Sequence, residues 1–141
     1  MSGNSDELML YENDDFEVFT PRNPHLPQKE GPHVVVRPKT DVATPWEDPK
    51  MCGRCFKFAA RVAQIMEDLG LAEWFNLQAN GNWGLLPGNT THFHVHILGR
   101  RKEGETWAKP VQLPSLPGTF RNDPMPEDAR RALSAKLAEE L

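Results

Sequence analysis

Hydrophobic positions change their period several times along this chain, and each change marks an element. Residues 8–11 and 16–19 are short apolar-rich runs on either side of Asn13-Asp14-Asp15, a pattern that predicts a hairpin. His33-Val34-Val35-Val36-Arg37, closed by Pro38, is a β-branched run that predicts a strand covered on both faces. Met51, Cys55, Phe58, Val62, Ile65, Met66 and Leu69 then recur at three- and four-residue steps, which is one stripe of an amphipathic helix. Asp48 offers an N-cap, Pro49 fills the first helical position, and Gly70 supplies a C-terminal stop. A strand is expected over 74–79, a glycine-rich loop over 80–89 and a third long strand over 91–98. From 99 to 126 no period survives, and Pro110, Pro114, Pro117 and Pro124 predict an irregular arm. Ala129, Ala132, Leu133 and Leu137 fall on one side of a second, shorter helix over 127–141. No internal repeat is visible.

Composition narrows the function classes. The chain has 141 residues, 38% of them hydrophobic, enough for one domain with a real core and no need of metal or disulfide staples. A formal charge of −4 argues against a protein that coats polyanions. It leaves room for a small phosphorylated ligand held by a few local groups. No apolar run approaches the roughly 20 residues of a membrane span, and the polar start MSGNSDELML does not read as an export signal. With two cysteines and no such signal, a reducing cytoplasm is the expected compartment. Residues 1–7 are expected to be flexible.

The most informative segment is His92-Phe93-His94-Val95-His96-Ile97-Leu98. Strand periodicity puts His92, His94 and His96 on one face and Phe93, Val95 and Ile97 on the other. Three of the chain's five histidines therefore share one face within five residues. Metal binding is one use for them, but the outer pair starts about 13 Å apart at strand rise. Convergence on one ion would need strong leaning, and no carboxylate stands beside them. Nucleophilic catalysis is the other use. A neutral imidazole is largely deprotonated at pH 7 and can form a covalent intermediate that water later cleaves. The neighbouring loop, Asn80-Gly81-Asn82-Trp83-Gly84 through Gly88-Asn89, brings backbone amides and side-chain amides within reach of phosphate oxygens.

His-x-His-x-His followed by two apolar residues resembles the signature of the histidine triad (HIT) nucleotide hydrolases and transferases. Gly31-Pro32-His33-Val34-Val35-Val36-Arg37-Pro38-Lys39 is similar to the family's Gly-His-apolar strand ending in Pro-Lys. Asn82-Trp83-Gly84 and Gly88-Asn89 resemble the segments leading to the triad. The likeness covers residues 8–101, with 102–141 forming a proline-rich arm and C-terminal helix on the same domain. It implies an α+β, HIT-like fold: a mostly antiparallel sheet with one long helix packed on it, usually paired as a two-fold dimer. It implies that His94 attacks the α-phosphate of a nucleotide or nucleotide conjugate, giving a nucleotidyl-histidine, and that no cofactor is needed. His96 would contact the phosphate oxygens, and a His92–His33 pair would orient the rings. Asn82, or Asn80 in a second register, and Asn89 with Gly88 would contact the phosphate. The family's acidic residue after the second strand has no counterpart in Phe19-Thr20-Pro21-Arg22-Asn23, where Asn23 is the substitute on offer.

Cys52-Gly53-Arg54-Cys55 at the helix start admits three readings, in descending order. The cysteines pack on the stripe, or bind zinc with His25 or His33, or act in redox chemistry. Trp46, Trp74 and Trp107 are expected in the core or an interface, and Trp83 in packing before base stacking. The alternatives to an enzyme are a non-catalytic nucleotide-binding protein of the same fold and a zinc or redox protein built on Cys52 and Cys55.

Overall fold

The computed structural model describes residues 6–141. Of the N-terminal segment expected to be flexible, residues 1–5 lie outside the described residues, while Glu7 already belongs to the first strand. The strands are β1 (Glu7–Glu12), β2 (Phe16–Pro21), β3 (His33–Pro38), β4 (Trp74–Gln78) and β5 (Val95–Arg100). They form one sheet in the order β1-β2-β3-β5-β4, with every neighbour antiparallel. Two helices complete an α+β fold, α1 (Pro49–Asp68) and α2 (Glu127–Glu140). Neither is long and apolar enough to cross a membrane.

Local chemistry explains the boundaries. The Asn13 side chain accepts from the amides of Asp15 and Phe16, closing the β1–β2 hairpin. The Asp48 carboxylate accepts from the Met51 amide and caps α1, and Gly70 leaves the helix at φ +71°. One face of α1 buries Met51, Cys55, Ala59, Val62, Ile65 and Met66 against the even-numbered side chains of β3, Val34 and Val36. Leu133 and Leu137 bring α2 onto the same core, whereas Ala132 faces solvent.

The odd-numbered side chains of β3, His33, Val35 and Arg37, emerge on the sheet's other face, which carries the candidate site. Close approach there depends on glycine. Gly31 sits at φ +151°, and a Cβ on it would lie 1.7 Å from the Gly99 carbonyl oxygen. That contact lets β3 and β5 start in register, with His33 opposite Leu98 and Val35 opposite His96.

Two expectations need correction. The third long strand does not start at residue 91: the ladder begins at Val95, so His92 and His94 precede it and only His96 lies within it. Val42 explains the early end, because its carbonyl takes the Phe93 amide out of the sheet. Of the core or interface expected for Trp46 and Trp74, the core is excluded, since they stand 78% and 63% exposed. The arm is irregular as expected, yet firmly tied down. Glu30 accepts from the amides of Glu105 and Thr106, and Arg100 donates to the Thr106 and Lys109 carbonyls. Asn122 bonds Asn23 and Pro24, and Gln28 donates to the Pro124 carbonyl.

Candidate active site

A cavity of about 430 Å³ opens on the face of the sheet away from α1. Its reactive wall holds His94 and His96, with His33 behind and His25, from the loop after β2, beside them. Asn80, Gly81, Asn82, Trp83 and Gly84 close one side, where residues Asn82–Leu85 form a single 3-10 turn. The arm adds Leu113, Pro114 and Ser115, held there by a bond from Trp83 Nε1 to the Ser115 carbonyl. The far end presents Glu7, Phe19 and Arg37.

The four histidines are joined by hydrogen bonds whose directions follow from their ends. The His25 backbone amide donates to His33 Nδ1 at 3.1 Å, so that nitrogen carries a lone pair. A neutral imidazole has one N–H, which then sits on His33 Nε2 and donates to His96 Nδ1, 2.8 Å away. His96 Nε2–H in turn donates to His94 Nε2 at 3.1 Å. His94 keeps its proton on Nδ1 and donates it to the His92 carbonyl at 2.7 Å. A backbone donor at one end and a backbone acceptor at the other agree on a single tautomer for the rings of His33, His96 and His94. His94 Nε2 thereby carries its lone pair at the cavity wall, held here by the His96 N–H.

Burial keeps these rings neutral. Desolvation, then the neighbouring imidazoles, hold His33 and His96 well below the ordinary histidine value. His25 is pushed down to about 4, chiefly by desolvation and then by His94. His94 is also lowered, again mainly by desolvation, although its bond to the His92 carbonyl works the other way.

The expected His92–His33 pair is not formed. His33 bonds His96, while His92 Nε2 meets the Pro38 carbonyl at 3.2 Å and its Nδ1 lies 3.6 Å from Asp41. Leaving the ladder before Val95 turns the His92 ring away from the others. Asn80 and Asn82 both line the cavity, whereas Gly88 and Asn89 do not; Asn89 Nδ2 instead donates to the Trp83 carbonyl. Asn23 is engaged by Phe120 and Asn122 and so secures the arm. The cysteine–histidine zinc reading fails on geometry, since Cys55 is buried in the core beside the Val36 carbonyl, on the face of β3 opposite His33. Burial also pushes its thiol up to about 12.

Among the described residues, one group has metal-binding spacing: nitrogens of His25, His33 and His96 lie within 4.8 Å of one another. Both nitrogens of His33 and of His96 are already committed in the chain of bonds above, so an ion would have to displace part of it.

Comparison with known proteins agrees with this geometry. The family model described as the HIT domain matches residues 2–103. No curated protein matches. Among solved structures, a Zn-bound histidine triad family protein from Mycobacterium smegmatis is 25% identical, with a TM-score of 0.67 over 98% of this chain and 88% of that one. A histidine triad protein from Sinorhizobium meliloti is 22% identical, with a TM-score of 0.68 over 96% and 90% of the two chains. One from Marinobacter aquaeolei is 22% identical, with a TM-score of 0.63 over 96% and 88%.

Proposed function

This chain belongs to the HIT family, and from that premise we propose that it is a nucleotide hydrolase or nucleotidyl transferase whose nucleophile is His94. The observation that carries the reading is the lone pair on His94 Nε2, fixed by the bonds from His96 on one side and to the His92 carbonyl on the other.

In the proposed reaction His94 Nε2 bonds to the α-phosphorus as the bond from phosphorus to the leaving group breaks. Positive charge then develops on the His94 ring, and the His92 carbonyl at Nδ1–H stabilises it. His96 Nε2–H, released from His94 Nε2, donates to a phosphoryl oxygen. Asn80 and Asn82 supply further neutral donors from the loop. Water, or another acceptor, next attacks phosphorus and the Nε2–P bond breaks. In hydrolysis the water's hydroxyl ends on phosphorus and its proton on the leaving group, so His94 returns unchanged. His33 touches no substrate and acts as a positioning residue, since it fixes the tautomer of His96. The substrate is a nucleotide or nucleotide conjugate, and the protein works as a cytoplasmic homodimer.

The test is covalent trapping. Wild-type protein mixed with substrate and quenched in alkali should show a nucleotide-sized adduct on His94 by mass spectrometry. His94→Asn should bind nucleotide, form no adduct and lose several orders of magnitude in turnover. An adduct on another histidine, or turnover near the wild-type rate in His94→Asn, rejects the assignment.

A further inference from the structure

The cavity's charge is as informative as its nucleophile. Arg37 is the one lysine or arginine among the described residues that line it, and that guanidinium is already paired with two acids. Its Nη1 and Nη2 donate to the two oxygens of Glu7 at 2.7 and 3.0 Å, and its Nε and Nη2 donate to Glu17 at 3.0 and 2.8 Å. Four of the five guanidinium N–H groups are thereby used. Two carboxylates against one guanidinium give this end of the cavity a formal charge of −1. At the other end the imidazoles are neutral, and Asn80 and Asn82 contribute dipoles without charge. The arm adds apolar Leu113 and Pro114.

Glu7 is the decisive member of the cluster. It lines the cavity, whereas Glu17 does not, and β1 pairing places it directly opposite Pro21. On His94, Arg37 and Glu7 act in opposite senses, so the carboxylate offsets the guanidinium at the nucleophile itself.

We infer that Glu7 is a specificity residue: together with Glu17 it overcompensates Arg37, and so makes the cavity select substrates with a single phosphoryl group on an uncharged or cationic leaving group, and reject polyphosphates. This rests on the assignment of His94 above for its catalytic part only. One phosphoryl group is satisfied by neutral donors. Each added phosphate brings negative charge into a cavity whose one lining arginine or lysine among the described residues is already paired. For a phosphoramidate protonated at nitrogen from solvent, the Nε2–P bond forms as the P–N bond breaks and the neutral amine leaves; water then puts its hydroxyl on phosphorus and its proton back into solvent as the Nε2–P bond breaks, releasing the mononucleotide.

Two measurements test it. Calorimetric titration of the wild-type protein with AMP, ADP and ATP should show no gain in affinity with added phosphates. Glu7→Gln should improve ATP relative to AMP by about tenfold, the size of one negative charge removed at partly screened range. Glu17→Gln should have a smaller effect. Should Glu7→Gln fail to fold, the wild-type series and the turnover ratio below still decide. Mononucleotide release from adenosine 5′-phosphoramidate should exceed that from diadenosine tetraphosphate by about tenfold or more in kcat/KM. Wild-type protein that binds ATP more than about tenfold tighter than AMP, or prefers the tetraphosphate, overturns the inference and leaves the His94 assignment standing. Monophosphate-selective binding without turnover does the reverse: it supports Glu7 and rejects the enzyme. Binding of none of the three nucleotides rejects both.

Discussion

The proton on His94 is held directly by the His92 carbonyl and, through the two side chains of His33 and His96, by the backbone amide of His25. Replacing His33 with phenylalanine keeps a buried ring but removes the link between His25 and His96. We expect His33→Phe to lower kcat about a hundredfold, as a misplaced catalytic group does, with KM little changed. The acid limb of the pH–rate profile should move as well, because His96 is freed to change tautomer; an unmoved profile would reduce His33 to packing. Acid should also weaken the fold. His25 has a folded value of about 4 against an ordinary 6.5, so below 6.5 the unfolded chain takes up a proton that the folded chain refuses. Stability is therefore retained above 6.5 and falls as the pH drops towards 4, with His33 and His96 adding in the same direction. Urea midpoints at pH 7 and pH 5 check the sign, and an equal midpoint at both would contradict it. His94 and His96 were legible because the triad spacing is local. His25 and Glu7 were not, since each reaches the cavity from a segment whose own pattern shows no chemistry, a proline-rich loop and an edge strand.

At the level of elements, α1 was the easiest to read, because its stripe, its cap and its stop all agree. Asp48→Ala should cost about 1 kcal/mol in thermal or chemical unfolding, the usual worth of an N-cap. Gly31 shows what periodicity misses. Nothing in Gly31-Pro32 predicts that its α-carbon must pass against the Gly99 carbonyl, which is a contact between residues 68 positions apart in the chain. Gly31→Ala should destabilise by more than about 3 kcal/mol, the upper end for ordinary single substitutions, and should reduce activity through the spacing of His33 and His96. A soluble variant with wild-type stability would remove Gly31 from the argument. The arm was legible as irregular but not as docked. Its anchors are largely backbone carbonyls of Ser115, Phe120 and Pro124, and every residue offers one, so sequence cannot mark them. The early end of β5 escaped for a similar reason: the Val42 carbonyl that diverts Phe93 leaves no trace in residue type.

For the whole molecule, the two edges of the sheet differ in a way that bears on assembly. β1 is bulged between Met9 and Tyr11, and Ser134 on α2 donates to its Leu10 carbonyl, so that edge is irregular and covered. β4 has a regular register with β5 along its whole length, and among the described residues no strand pairs with its other side. Natural sheets seldom leave a regular edge open unless something pairs with it. Trp74, at the start of β4, adds a large apolar side chain that the monomer leaves 63% exposed, unlike anything on β1. A second copy of the chain meets both requirements at once, because two β4 strands related by a two-fold axis run antiparallel and extend the sheet. We therefore expect sedimentation at micromolar concentration to give a dimer. Trp74→Glu should shift the equilibrium to monomer by removing apolar area and placing a charge on each side of the axis. The four histidines reside within one chain, so this variant should retain the covalent adduct on His94 even as a monomer. Wild-type protein that sediments only as a monomer would remove the dimer, and a monomeric Trp74→Glu that forms no adduct would show that the site needs its partner.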